Sequence, residues 1–211
     1  REALGSFLVH TADRQYPVTG GSDHLVSEAL YLNDPDGNGI EVYRDREPEE
    51  WEWIHDQVQM ATEPLDVEEL IELGRKQEWS GMPAGTVMGH LHLHVGNLAE
   101  AAAFYKDILG YEIVTAYGNQ AMFLSTGKYH HHIAINIWNG NGAPAAGKET
   151  AGLASYTISL PDEEAVAEIK EALKQHDYPY VEKGYSLFVE DLSGSVVVLT
   201  AEINSEKGNI L

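Results

Sequence analysis

The chain of 211 residues contains no cysteine, few basic residues and no long apolar run. Without cysteine, disulfides and thiolate metal sites are excluded, so any bound metal must be held by His and carboxylate ligands. Thirteen Lys and Arg against 34 Asp and Glu give a formal charge of -21, which repels nucleic acid and anionic membranes. No apolar run approaches the roughly 18 residues that span a bilayer, and no signal-peptide pattern opens the chain. We therefore expect a globular protein without nucleic-acid or membrane partners, with the cytoplasm as its default compartment.

Histidine is the residue type that is concentrated, because six of the ten histidines lie in two short runs. In GHLHLHV, His90, His92 and His94 alternate with apolar residues, which predicts a strand with one apolar face and one face of imidazoles. In YHHHIAINIW, three consecutive histidines (130–132) stand at the head of a predicted buried strand. These runs indicate metal or proton-transfer chemistry, with a polar patch at a strand end as the alternative.

The chain also repeats one structural unit, with the element order βαβββ. REALGSFLVHTADRQYPV resembles EAVAEIKEALKQHDYPYV, and ALYLNDPDGNGIEVY resembles SLFVEDLSGSVVVLT. The first copy starts at its helix, so we expect a leading strand to precede Arg1. The predicted segments are 1–48, a βαβββ copy without its first strand; 49–84, a linker with one helix; 85–142, a middle copy; 143–203, a last copy; and 204–211, a tail.

The first and last copies differ in chemistry when they are aligned on the Asp of the turn that each contains. Tyr31 then corresponds to Phe188, and Glu41 corresponds to Val198. The first copy also has five more residues before that turn, in a segment that contains His24. Polar groups therefore occupy the first copy where the last copy has apolar ones, and the last copy is predicted to be a scaffold.

The turn segment of the first copy, DPDGNGIEVYRD, also imitates the residue spacing of an EF-hand calcium loop. Strand-like ALYL and IEVY flank it where an EF-hand requires helices, and Pro35 lies inside it. A tight turn between two strands is therefore the predicted structure.

GHLHLHVGNLAEAAAFYKDILGYE and the segment ending in DPDGNGIEVY resemble the vicinal oxygen chelate superfamily, which includes glyoxalases, bleomycin-resistance proteins and extradiol dioxygenases. Over nearly the whole chain, the sequence is more closely similar to bacterial catechol-2,3-dioxygenase-like proteins, which have four such units. GSDHLVSEALYLNDPDGNGIEVYRDR, GHLHLHV and YHHHIAINIW carry this similarity. The resemblance implies an α+β fold in which βαβββ modules pair into cupped, incomplete barrels.

The resemblance also implies Fe(II) held by two histidines and one carboxylate, with Mn(II) or another divalent metal as the alternative. His90 matches one histidine ligand and Glu41 matches the carboxylate. The second histidine is expected upstream of Arg1, because its equivalent in the last copy lies near Ser155. We infer that the first and middle copies share the active cup and that the last copy pairs with an upstream unit, whose absence would favour self-association and could leave this fragment inactive.

The catalytic residues that the resemblance implies are an acid/base histidine, a tyrosine and a further pocket histidine. Strand alternation places His130 and His132 on one face, whereas the family strand assigns His131 to the acid/base role; we favour His131, followed by His132. Tyr31 precedes Glu41 by ten residues, the spacing of the family's active-site tyrosine. His24 resembles the pocket histidine, although its spacing to Tyr31 is two residues shorter than expected.

The function implied is extradiol cleavage of a catechol- or hydroquinone-type aromatic with O₂. Two alternatives from other classes stay open: a glyoxalase-like metal-dependent isomerase or lyase, and a non-enzymatic protein that binds aromatic ligands in the manner of bleomycin-resistance proteins.

Overall fold

The computed structural model describes residues 1–147 and 149–201, and the chain divides into two compact units, Arg1–Gly89 and His90–Leu211. The predicted tail 204–211 and the last two residues of the last copy lie outside the described residues. The elements of the first unit are α1 (Glu2–Asp13), β1 (Val18–Asp23), β2 (Ser27–Asn33), β3 (Gly39–Asp45), a 3-10 turn (Pro48–Glu50), β4 (Trp53–Ile54), β5 (Gln57–Val58) and α2 (Val67–Gly74). Those of the second unit are β6 (Leu91–His94), α3 (Leu98–Ala103), a π-helical turn (Phe104–Ile108), β7 (Glu112–Tyr117), β8 (Ala121–Ser125), β9 (Ile133–Asn136), β10 (Ser155–Leu160), α4 (Glu163–Gln175), β11 (Tyr180–Lys183), β12 (Ser186–Glu190) and β13 (Val196–Ala201).

The first unit is built on an antiparallel sheet in the order β1-β2-β3, with its core on one face. Leu30 of β2 packs there with Leu4 of α1 and Leu70 of α2. The two helices touch at Gly5, where an added Cβ would lie 2.2 Å from the backbone oxygen of Leu70. Residues that alternate with Leu30 point away from this core, and these include the predicted site residue Tyr31.

The second unit contains the middle and last copies, each with one four-stranded sheet. The strand orders are β6-β9-β8-β7 and β10-β13-β12-β11, and in both sheets the first strand pairs in parallel with the last. The two copies therefore share one strand order, and the mixture of helices and open sheets confirms the α+β class. No helix in the described part of the chain has the length and apolar composition needed to cross a bilayer.

The middle and last copies share one hydrophobic core, which the sequence analysis did not predict. Leu124 and Ile135 of the middle copy belong to the same buried cluster as Leu187 and Leu199 of the last copy. The hydroxyl groups of Tyr105 and Tyr156, one from each copy, lie 2.6 Å apart. The last copy therefore has a packing partner within the chain. Comparing repeats by their polar positions had indicated only an upstream partner, because it does not show which apolar faces meet.

Two predicted strands are shorter than expected, which changes the position of the histidines. The predicted strand TVMGHLHLHV is extended only over Leu91–His94, so His90 lies just before β6. The histidine triplet lies before β9 (Ile133–Asn136) rather than inside it. Gly127 and Lys128 have positive φ angles of 63° and 61°, and this turn breaks the regular strand geometry ahead of the triplet. The prediction that His130 and His132 share one strand face was therefore wrong, because alternation applies only within a continuous strand.

Candidate functional site

The face of the first sheet opposite its core brings together three of the predicted site residues. Tyr31 on β2 and Glu41 on β3 are direct cross-strand partners. The Tyr31 hydroxyl lies 3.2 Å from Oε1 of Glu41 and 2.5 Å from Nε2 of His24. All three side chains are half-buried. The predicted grouping of a histidine, a tyrosine and a carboxylate is therefore present within one unit.

His24 lies in the loop between β1 and β2 and is held there by backbone contacts. Its N–H donates to the carbonyl of Ser27 over 2.8 Å, and the Asp23 carboxylate accepts from the N–H of Leu25 over 2.9 Å. On the ring, Nδ1 lies 2.7 Å from the carbonyl oxygen of Ala61, in the linker after β5. This loop explains the short spacing to Tyr31, because the ring reaches the tyrosine from the end of the hairpin.

The turn between β2 and β3 is a tight turn closed by Asp34, as predicted. Its carboxylate accepts hydrogen bonds from the side chain and the N–H of Asn38 and from the N–H of Asp36. These donors, with the Asn38 side chain first, lower the pKa of Asp34 below its ordinary value of 3.8. Gly37 has a φ of 87°, which a residue with a side chain rarely adopts. The carboxylate is thus used by the turn itself.

Within the second unit, His90 and His131 lie side by side although they are 41 positions apart in the chain. Their ring centroids are 4.2 Å apart, and the rings of His131 and Phe123 are nearly perpendicular with centroids 5.0 Å apart. His130 is completely buried, and its Nδ1 lies 2.9 Å from Nδ1 of His131. One of these two nitrogens must carry a proton and the other must accept it. The structure therefore joins the predicted ligand His90 and the predicted acid/base residue His131 to a third imidazole.

His132 points elsewhere and is bound by its neighbours. Its Nδ1 lies 3.1 Å from the Ser125 hydroxyl, and its ring packs on Tyr129 with a centroid distance of 4.9 Å. Burial, and then the proximity of His130 and His90, lower the pKa of His132. The contacts favour a structural role for His132.

The other two histidines of β6 have partners of their own. Nδ1 of His94 lies 2.9 Å from Oδ1 of Asn136, a buried residue of the parallel strand β9. The His92 ring lies 5.3 Å from the ring of Trp138 and 6.0 Å from that of Phe123. The His94 ring is thus bonded to the amide of Asn136, and the His92 ring packs among aromatic side chains.

Glu41 and His90 are the residue types that the expected metal would use, but they do not form a complete set of ligands within one unit. Fe(II) sites of this kind need two histidines and a carboxylate. Among residues 1–147 and 149–201, no group of three or more His, Asp or Glu side chains is arranged to hold a metal ion. Glu41 has Tyr31 beside it and His90 has His131 beside it, so each predicted ligand lies next to a predicted catalytic residue.

Two participants in these arrangements were not identified from the sequence. The first is the backbone carbonyl of Ala61, which no side-chain pattern reveals. The second is His130, whose contact with His131 depends on the irregular backbone before β9. The adjacency of three histidines was the only available signal for it.

Comparisons with known proteins come from sequence and from structure. A family model described as the Glyoxalase/Bleomycin resistance protein/Dioxygenase superfamily matches residues 87–196. The chain is 42% identical over 200 residues to the catechol-2,3-dioxygenase of Bacillus subtilis (strain 168), which covers 93% of this chain and 70% of that protein. A lactoylglutathione lyase from Agrobacterium tumefaciens is 20% identical with a TM-score of 0.44, covering 57% of this chain and 96% of the other. A glyoxalase/dioxygenase from Nostoc punctiforme is 11% identical with a TM-score of 0.46, covering 59% and 98%.

Proposed function

This chain belongs to the glyoxalase/bleomycin resistance protein/dioxygenase superfamily, as its motifs predicted, and from this membership we propose that it is an extradiol ring-cleaving dioxygenase. Its substrates would be O₂ and a small aromatic with two hydroxyl groups, of the catechol or hydroquinone type. The relative from Bacillus subtilis is named a catechol-2,3-dioxygenase, and its 42% identity supports this reaction class.

The observation that carries the proposal is the connected set His24, Tyr31 and Glu41. A hydroxyl that lies within hydrogen-bonding distance of both an imidazole and a carboxylate can hold or move a proton beside a bound diol. The last copy has the same strand pairing but carries Phe188 and Val198 at these positions. A purely structural role for this cross-strand pair does not require polar groups, which favours a chemical role in the first copy.

We propose that Glu41 and His90 are ligands of Fe(II), or of Mn(II) or another divalent metal, together with a further histidine. A metal bound by these residues would supply Lewis acidity toward the diol and a site for O₂. In support of this role, Glu41 lies on the face of its sheet that points away from the core. His90 is placed just before β6, where its imidazole is beside His131.

His131 is proposed to take the second proton of the diol and to return it later, which is work suited to an imidazole near neutral pH. Because Nδ1 of His131 is engaged with Nδ1 of His130, the exchange with substrate would use Nε2. When Nδ1 of His131 donates to His130, Nε2 of His131 holds a lone pair and is a base. When His130 donates instead, Nε2 of His131 carries the proton and is an acid. The position of one shared proton thus sets the direction of transfer.

Tyr31 is proposed to make a hydrogen bond to the substrate. Its hydroxyl bonds to Nε2 of His24 and lies 3.2 Å from Oε1 of Glu41, so its position is fixed before substrate arrives. A hydroxyl fixed in advance loses little entropy when it engages the reacting oxygen atoms.

The test is oxygen uptake by protein loaded with Fe(II) under anaerobic conditions and then mixed with oxygen and a panel of catechols and hydroquinones. His90→Ala is the test variant, and His94→Ala is its matched control, because His94 belongs to the strand that His90 precedes but is bonded to Asn136. We expect stoichiometric iron and oxygen uptake with a ring-opened product, both lost in His90→Ala and retained in His94→Ala. Stoichiometric binding of the aromatic without metal or uptake would refute the proposal and favour a ligand-binding protein, whereas metal-dependent isomerisation without uptake would favour a glyoxalase-like enzyme.

A further inference from the structure

The proton positions around His24 are set by the carbonyl of Ala61. A carbonyl oxygen only accepts hydrogen bonds, so Nδ1 of His24, which lies 2.7 Å from it, must be the donor. In a neutral imidazole the other nitrogen then has a lone pair. Nε2 of His24 is therefore an acceptor, and the hydroxyl of Tyr31, 2.5 Å away, must donate to it.

This assignment decides how Tyr31 faces Glu41. The tyrosine has one hydroxyl proton and two neighbours within hydrogen-bonding distance, namely Nε2 of His24 at 2.5 Å and Oε1 of Glu41 at 3.2 Å. When the proton is donated to His24, the tyrosine oxygen can accept a proton from a substrate hydroxyl. The Glu41 carboxylate then keeps the charge that the hydroxyl proton would otherwise partly neutralise. Only a doubly protonated His24 would donate from Nε2 to the Tyr31 oxygen, and the hydroxyl proton of Tyr31 would then point toward Glu41.

The linker is held so that the Ala61 carbonyl stays in place. Asp23 and Glu63 exchange two backbone hydrogen bonds, of 3.0 and 2.9 Å, so that the linker pairs with the end of β1. The hydroxyl of Ser22 adds a bond of 3.2 Å to the carbonyl of Glu63. Leu65, two residues further on, belongs to the buried core of the unit. Ala61 is thus held by its neighbours on the C-terminal side and by its own N–H, which donates to the carbonyl of His24 over 3.4 Å.

We propose that the linker, through the Ala61 carbonyl, holds His24 in its Nδ1–H tautomer, and that His24 is a positioning residue that directs the Tyr31 hydroxyl proton away from Glu41. The effect of this arrangement on ring cleavage rests on the proposed function, but the tautomer itself does not. The linker between the copies then contributes to the site, because its Ala61 carbonyl orients His24.

The direct test is the tautomer of His24 in long-range ¹H–¹⁵N correlation spectra of the full chain labelled with ¹⁵N-histidine, without metal or substrate. The His24 signals are assigned by their loss in His24→Gln. We expect a protonated Nδ1 and an unprotonated Nε2, and we expect the same pattern in Tyr31→Phe, because the carbonyl rather than the tyrosine sets it. An Nε2–H tautomer, a doubly protonated ring, or a change of tautomer in Tyr31→Phe would overturn the inference.

A pair of substitutions separates positioning from structural support. His24→Gln places an amide oxygen near the former Nε2 and can still accept from Tyr31, whereas His24→Asn places its amide nitrogen near the former Nδ1 and can bind only Ala61. If His24 positions the hydroxyl, kcat falls about 10-fold or more in His24→Asn and is substantially retained in His24→Gln, with KM little changed in both. Equal losses in both variants would contradict this role. If wild-type protein lacks activity but shows the Nδ1–H tautomer, the proposed function fails while the assignment of His24 stands.

Discussion

The first and last copies of the repeat share one backbone plan and differ in the side chains that it carries. Asp34 and Asp191 each close a turn by accepting backbone N–H groups two and four residues later. Gly37 and Gly194, three residues after each Asp, have φ angles of 87° and 92°. A tyrosine ahead of each turn, Tyr16 or Tyr178, donates its hydroxyl proton to the carbonyl of the residue before the Asp.

On this common plan one cross-strand pair has changed its chemistry. Tyr31 faces Glu41 across β2 and β3, and Phe188 faces Val198 across β12 and β13 in the same register. The sheet therefore tolerates either pair, since both place their side chains on the face away from the core. The comparison teaches that the polar pair is not needed for folding of the repeat.

The β1–β2 hairpin of the first copy is longer than the β11–β12 hairpin of the last, and its end carries His24 of the candidate site. The strands β1 and β2 extend over Val18–Asp23 and Ser27–Asn33, whereas β11 and β12 are only Tyr180–Lys183 and Ser186–Glu190. The five extra residues of the first copy carry its hairpin as far as the linker, where Asp23 pairs with Glu63. His24 is at that end, and no equivalent loop residue exists in the shorter hairpin.

The largest effect is expected when Glu41 of the first copy is replaced by Val, the residue at the equivalent position of the last copy. Glu41→Val should reduce oxygen uptake below detection, because a proposed ligand is lost, while the strand keeps its stability since Val suits a strand. The measurements are oxygen uptake after anaerobic Fe(II) loading and thermal unfolding. The reciprocal Val198→Glu is the control and should keep its oxygen uptake. Retained uptake in Glu41→Val would exclude Glu41 as a ligand.

The core positions test whether the copies are also equivalent in stability. Leu30 and Leu187 correspond in the alignment, and each is 1% exposed. Leu30→Ala and Leu187→Ala should each cost about 2–5 kcal/mol, from lost burial and the cavity left behind. Urea unfolding measures this cost. A loss well below 1 kcal/mol at either position would mean that its copy is loosely packed.

A smaller effect on activity is expected for Tyr31→Phe, which keeps the ring of the polar pair and removes its hydroxyl. We expect kcat to fall about 10-fold, which corresponds to about 1.4 kcal/mol of lost transition-state stabilisation. Steady-state oxygen uptake gives kcat and KM. Tyr16→Phe, which removes a hydroxyl from the same unit at the Asn33 carbonyl, should leave kcat unchanged. Equal losses in the two variants would indicate a general effect on the sheet.

The smallest expected effect concerns the turn that both copies contain. Hydrogen bonds from Asn38 and Asp36 lower the pKa of Asp34, so the folded state holds this carboxylate ionised more firmly than the unfolded state does. The turn is therefore fully stabilised above the ordinary value of 3.8 and loses that stabilisation as pH falls through the lowered pKa. A carboxyl ¹³C NMR titration should show the lowered pKa, and Asn38→Ala should raise it toward 3.8. No change in Asn38→Ala would show that the backbone donors alone set it.

Some parts of the fold were predictable from local patterns. An Asn or Asp directly before an apolar run is typical of a helix N-cap, and the structure has Asn97 as the cap of α3 and Asp66 as the cap of α2. The α-helix expected in the linker 49–84 is α2. By contrast, the extent of β6 and the backbone of residues 130–132 were not predictable. Alternation of residue types cannot show where a strand loses its partners.

The sequence by itself determined the repeat, the α+β class, the family and the candidate residues His24, Tyr31, Glu41, His90 and His131. It did so because these properties depend on residue type and spacing along the chain. Only the tertiary structure decided that the middle and last copies share a core, that His130 touches His131, and that the Ala61 carbonyl meets His24. Such contacts join segments that are distant in sequence or have irregular backbones, so their geometry follows from how the whole unit packs.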